Sequence, residues 1–166
     1  MIPVTVDQFL GPYLKHPEVT EEKRVRIATY LVIANAALAK AEEDGVVLEI
    51  NPHTGCYLAG VGNGGWRPSD CLIGAPDSAH KHEEAGDWYD TMPERVLCRW
   101  SLRNQEYLRS VGILAMENPQ WTGTLGTSSW AHWQTRPLKS GNFVFVPNRT
   151  PALVKLLPEQ VVDQTA

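Results

Sequence analysis

The segment EEKRVRIATYLVIANAALAKAEED, residues 21–44, constrains the fold most, because it contains neither glycine nor proline. Thr20 before it is typical of a helix N-cap, and the two glutamates that follow put negative charge in the first turn. Apolar residues recur from Val25 to Leu38, and Gly45 ends the pattern. We therefore predict the first and longest helix of the chain here, buried on most of its sides.

A second helix is predicted from the TMPE motif at 91–94. The motif places a proline in the first turn and a glutamate in the capping-box position. Apolar residues then share one face of the segment before Gly112, namely Val96, Trp100, Tyr107 and Val111. We expect this helix to pack against the same core as the first.

Three short runs are rich in β-branched or aromatic residues and are bounded by turn formers, as is typical of strands. They are VVLEI at 46–50, WAHWQT at 130–135 and NFVFVP at 142–147. Strands mixed with helices in this order indicate the α+β class. Because no repeat and no obvious linker interrupts the 166 residues, we interpret residues 1–166 as a single domain.

Composition restricts the function classes. A net charge of −4 without a clustered basic surface argues against nucleic acid as a partner. The three cysteines include no CxxC pair, which argues against a thiolate zinc cluster or a disulfide framework. The N-terminal residues lack the basic region and following apolar run expected of a signal peptide, and the longest uncharged apolar stretch, 27–39, is too short to span a bilayer. We expect synthesis in the cytoplasm and no transmembrane segment.

The stretch SAHKHEEAGDWYD, residues 78–90, carries two candidate metal ligands, His80 and Asp87. They can converge if a loop leads into a strand between them. In a strand over WAHWQ, His132 lies on one face with Trp130 and Gln134, while the intervening side chains point to the other face. Two imidazoles and one carboxylate leave the fourth tetrahedral position of zinc open for water, which is typical of a catalytic site.

Three motifs stand in a fixed order: GWRP at 65–68, SxHxxxxAxD at 78–87 and WxHxQ at 130–134. In this order they resemble the D-alanyl-D-alanine peptidase and Hedgehog-type zinc peptidases. The sequence is most similar to small bacteriophage-encoded members whose chain continues WxHxQT...SGxxxF, here WAHWQTRPLKSGNFVF. The resemblance covers about residues 20–147.

The resemblance implies a fold, a site and a substrate. The fold would be a small antiparallel sheet packed against helices. Zinc would be bound by His80, Asp87 and His132. Arg67 would hold the carboxylate of a substrate peptide with Ser78 nearby, because a guanidinium gives a carboxylate two parallel hydrogen bonds.

The chain departs from the family pattern at the general base. Many relatives carry a glutamate or aspartate three residues before the second histidine, and here that residue is Ser129. Other groups are available to accept a proton, namely Glu117, Glu83, Glu84 and His82. We favour Glu117, because its segment leads into the strand that carries His132. Glu83 also replaces a glycine of the motif.

Together with the candidate metal ligands, the resemblance implies a zinc-dependent peptidase that hydrolyses an amide bond in peptidoglycan peptides, in bacteriophage lysis or wall penetration. The alternative is a catalytically impaired zinc-bound module that binds peptidoglycan or serves as a structural virion protein. The protein would be made in the host cytoplasm and act at the cell wall or as part of a virion. Tryptophans beside the motifs, Trp66 and Trp130, are candidates for lining a groove.

Overall fold

The structure is a computed structural model, and it describes residues 1–91, 93–124 and 128–146. Met92 of the predicted second helix start and Pro147 of the predicted last strand lie outside these ranges. The described helices are α1 (Val6–Leu10), α2 (Glu21–Glu43), α3 (Val96–Arg103) and α4 (Gln105–Val111). The described strands are β1 (Ala85–Tyr89), β2 (Ala115–Glu117), β3 (Gly123–Thr124), β4 (Ser128–Gln134) and β5 (Val144–Phe145).

Helix α2 confirms the long helix predicted from the sequence. The Thr20 hydroxyl accepts a hydrogen bond from Lys23 N at 3.2 Å, as expected of an N-cap. The expectation of burial on most sides is wrong, because Val25 and Val32 are 57% and 73% exposed. One stripe at helical spacing is buried, and it consists of Ile27, Tyr30, Leu31, Ala34, Ala37, Leu38 and Ala41.

Helix α1 precedes α2, so α2 is not the first helix. Thr5 and Gln8 form a reciprocal capping box at its start, and Phe9 and Leu10 are fully buried. At five residues, α1 is too short for a periodic apolar pattern to reveal it in the sequence.

The predicted second helix begins later than Thr91 and is divided in two. The Asp90 carboxylate accepts hydrogen bonds from Leu97 N at 3.0 Å and Cys98 N at 2.9 Å, and so caps α3 in place of the predicted TMPE box. Arg95 immediately before α3 has a positive φ of 46°, which is incompatible with a continuous helix from Thr91. Asn104 separates α3 from α4.

The sheet is mixed, so the expected antiparallel sheet is corrected. Its strand order is β1-β4-β2-β5, and β3 pairs with β4 as well. Strands β1, β2 and β3 run antiparallel to β4, whereas β5 runs parallel to β2. The architecture confirms the α+β class.

Two of the three predicted strands are present. The run WAHWQT corresponds to β4, and β5 occupies two residues of NFVFVP. The prediction for VVLEI is wrong, since residues 46–50 form no strand. Val47 and Ile50 are 76% and 52% exposed, so β-branched composition there is not matched by a partner strand or a buried face.

The core lies between α2 and one face of the sheet. The Tyr30 hydroxyl donates to the backbone carbonyl of Trp133 at 3.0 Å, which fixes α2 across β4. The ring of Trp88 from β1 lies 5.8 Å from that of Trp133, and both are fully buried. The core thus leaves the other face of β1 and β4 for polar side chains.

Within the described ranges, every helix is too short or too polar to cross a bilayer.

Candidate metal centre

His80 reaches the site on a single turn of 3-10 helix, Ala79–His82, that runs into β1. Glu83 ends the turn with φ 60° and ψ 22°, the left-handed conformation that allows the chain to reverse into the strand. The expected loop entering a strand therefore brings His80 and Asp87 together. Glu83 adopts the positive φ for which a motif glycine is suited.

Strand pairing brings the third side chain to the same place. Asp87 and His132 are direct partners in the antiparallel pair of β1 and β4, and so their side chains lie on the same face. His132 Nδ1 lies 2.8 Å from Asp87 Oδ1, and His80 Nε2 lies 3.2 Å from the same oxygen. All three residues are buried, and their candidate ligand atoms lie within 4.8 Å of one another.

This arrangement fits a tetrahedral zinc ion. Ligand atoms bound about 2.0–2.1 Å from zinc at tetrahedral angles are separated by roughly 3.3 Å. The two separations at Asp87 Oδ1 are 2.8 and 3.2 Å, so small adjustments of His80 and His132 would accommodate the ion. The donor types and the two separations at Asp87 Oδ1 are compatible with zinc, and the three residues would supply three of its four ligands.

The outer atom of each ligand is engaged by another group. His80 Nδ1 lies 2.8 Å from the carbonyl oxygen of Gly65, and His132 Nε2 lies 3.2 Å from Gln134 Oε1. A carbonyl oxygen only accepts, so each of these nitrogens carries a proton, and in the neutral rings the inner nitrogens, His80 Nε2 and His132 Nδ1, have the lone pairs. Either a proton or a metal ion can lie between these nitrogens and the Asp87 carboxylate.

The orientation of the Gln134 amide is fixed independently. Its Nε2 donates to the carbonyl of Arg136 at 2.7 Å, which leaves Oε1 facing His132. The Asp87 carboxylate is held in a similar way, since its Oδ2 accepts from Arg67 Nη2 at 2.7 Å. Only Oδ1 therefore faces the two imidazoles.

Burial and charge act in opposite directions on the three candidate ligands. Burial lowers the pKa of His80 below its ordinary value. Burial alone would raise the pKa of Asp87, but the charge of His80 and the hydrogen bond from His132 hold that pKa well below its usual range. For His132, burial is outweighed by the hydrogen bond and the charge of Asp87, which raise its pKa. A divalent cation would compete with the proton on His132.

A cavity of about 760 Å³ opens at this centre. Its wall includes the three candidate ligands as well as Arg67, Ser78, Glu117, Trp130, Gln134 and Phe145. Strand alternation explains the wall, because Trp130, His132 and Gln134 line the cavity while Ala131 and Trp133 are fully buried in the core.

Arg67 and Ser78 both line the cavity. A Cβ built on Gly74 would lie 3.2 Å from Arg67 Nη1 and 3.3 Å from Ser78 Oγ, so both polar atoms flank that glycine. Arg67 also has a role that the sequence does not reveal, because its Nη2 donates to the candidate ligand Asp87 and its Nε donates to the carbonyl of Asn63 at 2.8 Å. Its role toward a substrate carboxylate stays a prediction.

Of the four groups predicted as candidate bases, Glu117 is the one that lines the cavity. The pairing of β2 with β4 sets Met116 opposite Trp133. Glu117 follows Met116 along β2, so its side chain points to the other face of the sheet, which is the face of His132. The charge of Glu117 also acts on His132 and contributes to its raised pKa.

The other three candidates pair with groups other than the candidate metal ligands. Glu83 pairs with Lys23 and Arg26 on α2, and Glu84 accepts from Arg136 Nε at 2.6 Å. His82 Nε2 lies 2.9 Å from Asp77 Oδ1 at the surface.

Ser129 lies on the core side of β4. Its hydroxyl donates to the backbone carbonyl of Asp90, and the residue is 1% exposed. A longer carboxylate side chain at this position would meet the core rather than His132.

The tryptophans beside the motifs have different environments. Trp130 lines the cavity, as predicted for a groove residue. The corresponding prediction for Trp66 is wrong, since it is fully buried in the core. The indole N–H of Trp66 instead donates to Glu83 Oε1 at 3.0 Å.

A second group of residues with metal-ligating side chains, His16, Glu18 and Asp70, lies at the surface. Hydrogen bonds to protein groups explain the arrangement of these side chains. The Glu18 carboxylate accepts from the amide and hydroxyl of Ser69, and His16 Nδ1 accepts from Glu18 N at 3.3 Å. This group differs from the buried centre, where the inner atoms of the ligands face only one another.

Comparisons of the chain with protein-family models, with curated proteins and with solved structures give no match in any of the three.

Proposed function

We propose that the chain is a zinc-dependent peptidase that hydrolyses an amide bond in peptidoglycan peptides, in bacteriophage lysis or wall penetration. The observation that carries this proposal is the convergence of His80 Nε2, Asp87 Oδ1 and His132 Nδ1 at the wall of a cavity. The motif resemblance described above supplies the substrate class.

His80, Asp87 and His132 would hold the ion. Zinc, when bound, supplies polarisation of a carbonyl and a lowered pKa for a coordinated water. The outer hydrogen bonds of the imidazoles keep each ring in the tautomer that binds, so that the ligands are oriented before the ion arrives.

Glu117 takes the role of proton acceptor. As a carboxylate in the wall of the same cavity as His132, it would accept a proton from water and pass it to a leaving amine. Arg67 and Ser78 flank Gly74 in the same wall and would fix a peptide carboxylate. Fixing that end of the peptide orients its adjacent amide in the cavity.

The direct test is incubation of the purified, zinc-loaded chain with purified peptidoglycan, followed by mass spectrometry of the released peptides. The proposal predicts new peptide termini with the unchanged chain and none with His132→Ala or after chelation of the metal. Zinc-loaded chain that binds peptidoglycan but releases no peptide would contradict it. That result would favour a non-catalytic wall-binding module, which Ser129 in place of the expected carboxylate also allows.

A further inference from the structure

We propose that Glu83 is a positioning residue for the metal centre, and that it acts through the loops that orient His80. The inference rests on the metal site proposed above. It assigns a task to a carboxylate that lines no part of the cavity and touches no candidate ligand.

Glu83 is a buried carboxylate surrounded by donors. Its side chain is 4% exposed, and Oε1 accepts from Trp66 Nε1 at 3.0 Å and lies 3.0 Å from Lys23 Nζ. Oε2 accepts from Arg26 Nε at 2.8 Å. Two of the three donors come from α2, so the carboxylate ties the segment after His80 to the longest helix of the fold.

Glu83 contacts both segments that form the His80 hydrogen bond, the segment of the donor His80 and the segment of the acceptor Gly65. Glu83 closes the turn that carries His80. Trp66, which donates to Glu83, is flanked in sequence by Gly65 and Arg67. Gly65 supplies the carbonyl that accepts from His80 Nδ1, and Arg67 holds the outer oxygen of the metal-facing carboxylate. A shift of Trp66 or of the turn would move His80 relative to its acceptor.

The backbone at Glu83 indicates that its side chain is needed. A φ of 60° is adopted readily by glycine and at a cost by a residue with a Cβ atom. Glycine would satisfy the turn but would leave Lys23, Arg26 and the Trp66 N–H without their shared acceptor. The carboxylate thus compensates for the strained backbone by binding both loops to α2.

The test compares zinc dissociation constants of the full chain and its variants by competition with a chromophoric chelator. Glu83→Gln keeps the size of the side chain, and Glu83→Gly relieves the backbone while removing the carboxylate. Both should raise the zinc dissociation constant by about tenfold, the lower end of the effect of groups that orient metal ligands. Glu22→Gln is the matched control, because Glu22 binds the same Arg26 guanidinium at 2.6 Å but is exposed, and it should leave the constant unchanged.

A second readout does not depend on zinc. The Nδ1–H of His80 should give a slowly exchanging imidazole proton signal in NMR spectra of the unchanged chain and of Glu22→Gln. The signal should shift or broaden in both Glu83 variants.

If these variants fail to fold, Lys23→Gln removes one cation of the cluster and should produce a smaller change in the same direction. An unchanged His80 signal in folded Glu83 or Lys23 variants would overturn the proposal, as would an unchanged zinc dissociation constant. Absence of zinc binding by the unchanged chain would contradict the proposed function instead, and the His80 signal would then decide the role of Glu83.

Discussion

His80 and His132 present different ring nitrogens to Asp87, and their outer hydrogen bonds determine which nitrogen faces inward. Gly65 offers His80 a backbone carbonyl, whereas Gln134 offers His132 a side-chain carbonyl. Strand alternation in WAHWQ predicts that Gln134 lies beside His132, so this contact is accessible from the sequence. The role of Gly65 cannot be predicted from the sequence, because every residue type has a backbone carbonyl.

Gln134→Leu should weaken zinc binding about 10- to 100-fold. The variant keeps much of the side-chain volume but removes the acceptor that holds the proton on His132 Nε2, so Nδ1 is no longer fixed as the free nitrogen. Zinc dissociation constants from chelator competition check this expectation. Gln120→Leu, a change at an exposed position, is the control and should bind zinc as the unchanged chain does. Equal zinc affinity in Gln134→Leu would show that the amide does not orient the ligand.

Glu117→Gln should lower turnover on peptidoglycan by roughly 100-fold or more, the scale of general-base catalysis, while zinc content stays unchanged. Glutamine keeps the size of the side chain and loses its basicity. The measurement is the initial rate of peptide release alongside metal analysis of the same sample. Glu106→Gln, at an exposed position on α4, controls for the loss of one negative charge. Full activity in Glu117→Gln would show that Glu117, the one predicted base that lines the cavity, is not the general base.

At the scale of elements, the periodicity of apolar residues does not define where a helix begins or ends. Polar capping partners determine these boundaries. Helix α2 is predicted well because Thr20 caps it locally and a continuous apolar stripe follows. The start of helix α3 is not predicted well, because its cap is a distant residue. Asp90 lies just after β1, six residues before the first residue of α3, and its carboxylate caps that helix. Likewise, VVLEI has strand composition, but strand formation depends on a partner that local sequence does not specify.

Asp90→Ala should lower the free energy of unfolding by about 1–3 kcal/mol, because it leaves the amides of Leu97 and Cys98 without their acceptor in a buried setting. Asp90→Asn retains one acceptor oxygen and should lose less. Urea unfolding followed by circular dichroism measures both variants against the unchanged chain. Equal stability of Asp90→Ala and the unchanged chain would show that the start of α3 does not depend on this cap.

For the whole molecule, the sheet separates two environments. One face of β4 contributes Trp133 to the core against α2, and the other contributes His132 to the cavity. The sequence predicts this division because alternation is a local property of a strand. The parallel pairing of β5 with β2 and the packing of Glu83 against α2 depend on distant partners, so neither could be derived from the sequence alone.

The zinc content of the purified full chain decides whether His80, Asp87 and His132 bind a metal ion. It is measured by elemental mass spectrometry after dialysis against zinc and then against metal-free buffer. We expect close to one zinc ion per chain, and a loss of most of it in His80→Ala and in His132→Ala while each variant remains folded. A chain that retains neither zinc nor another divalent ion, or variants that keep a full equivalent, would contradict the assignment of His80, Asp87 and His132 as a metal centre.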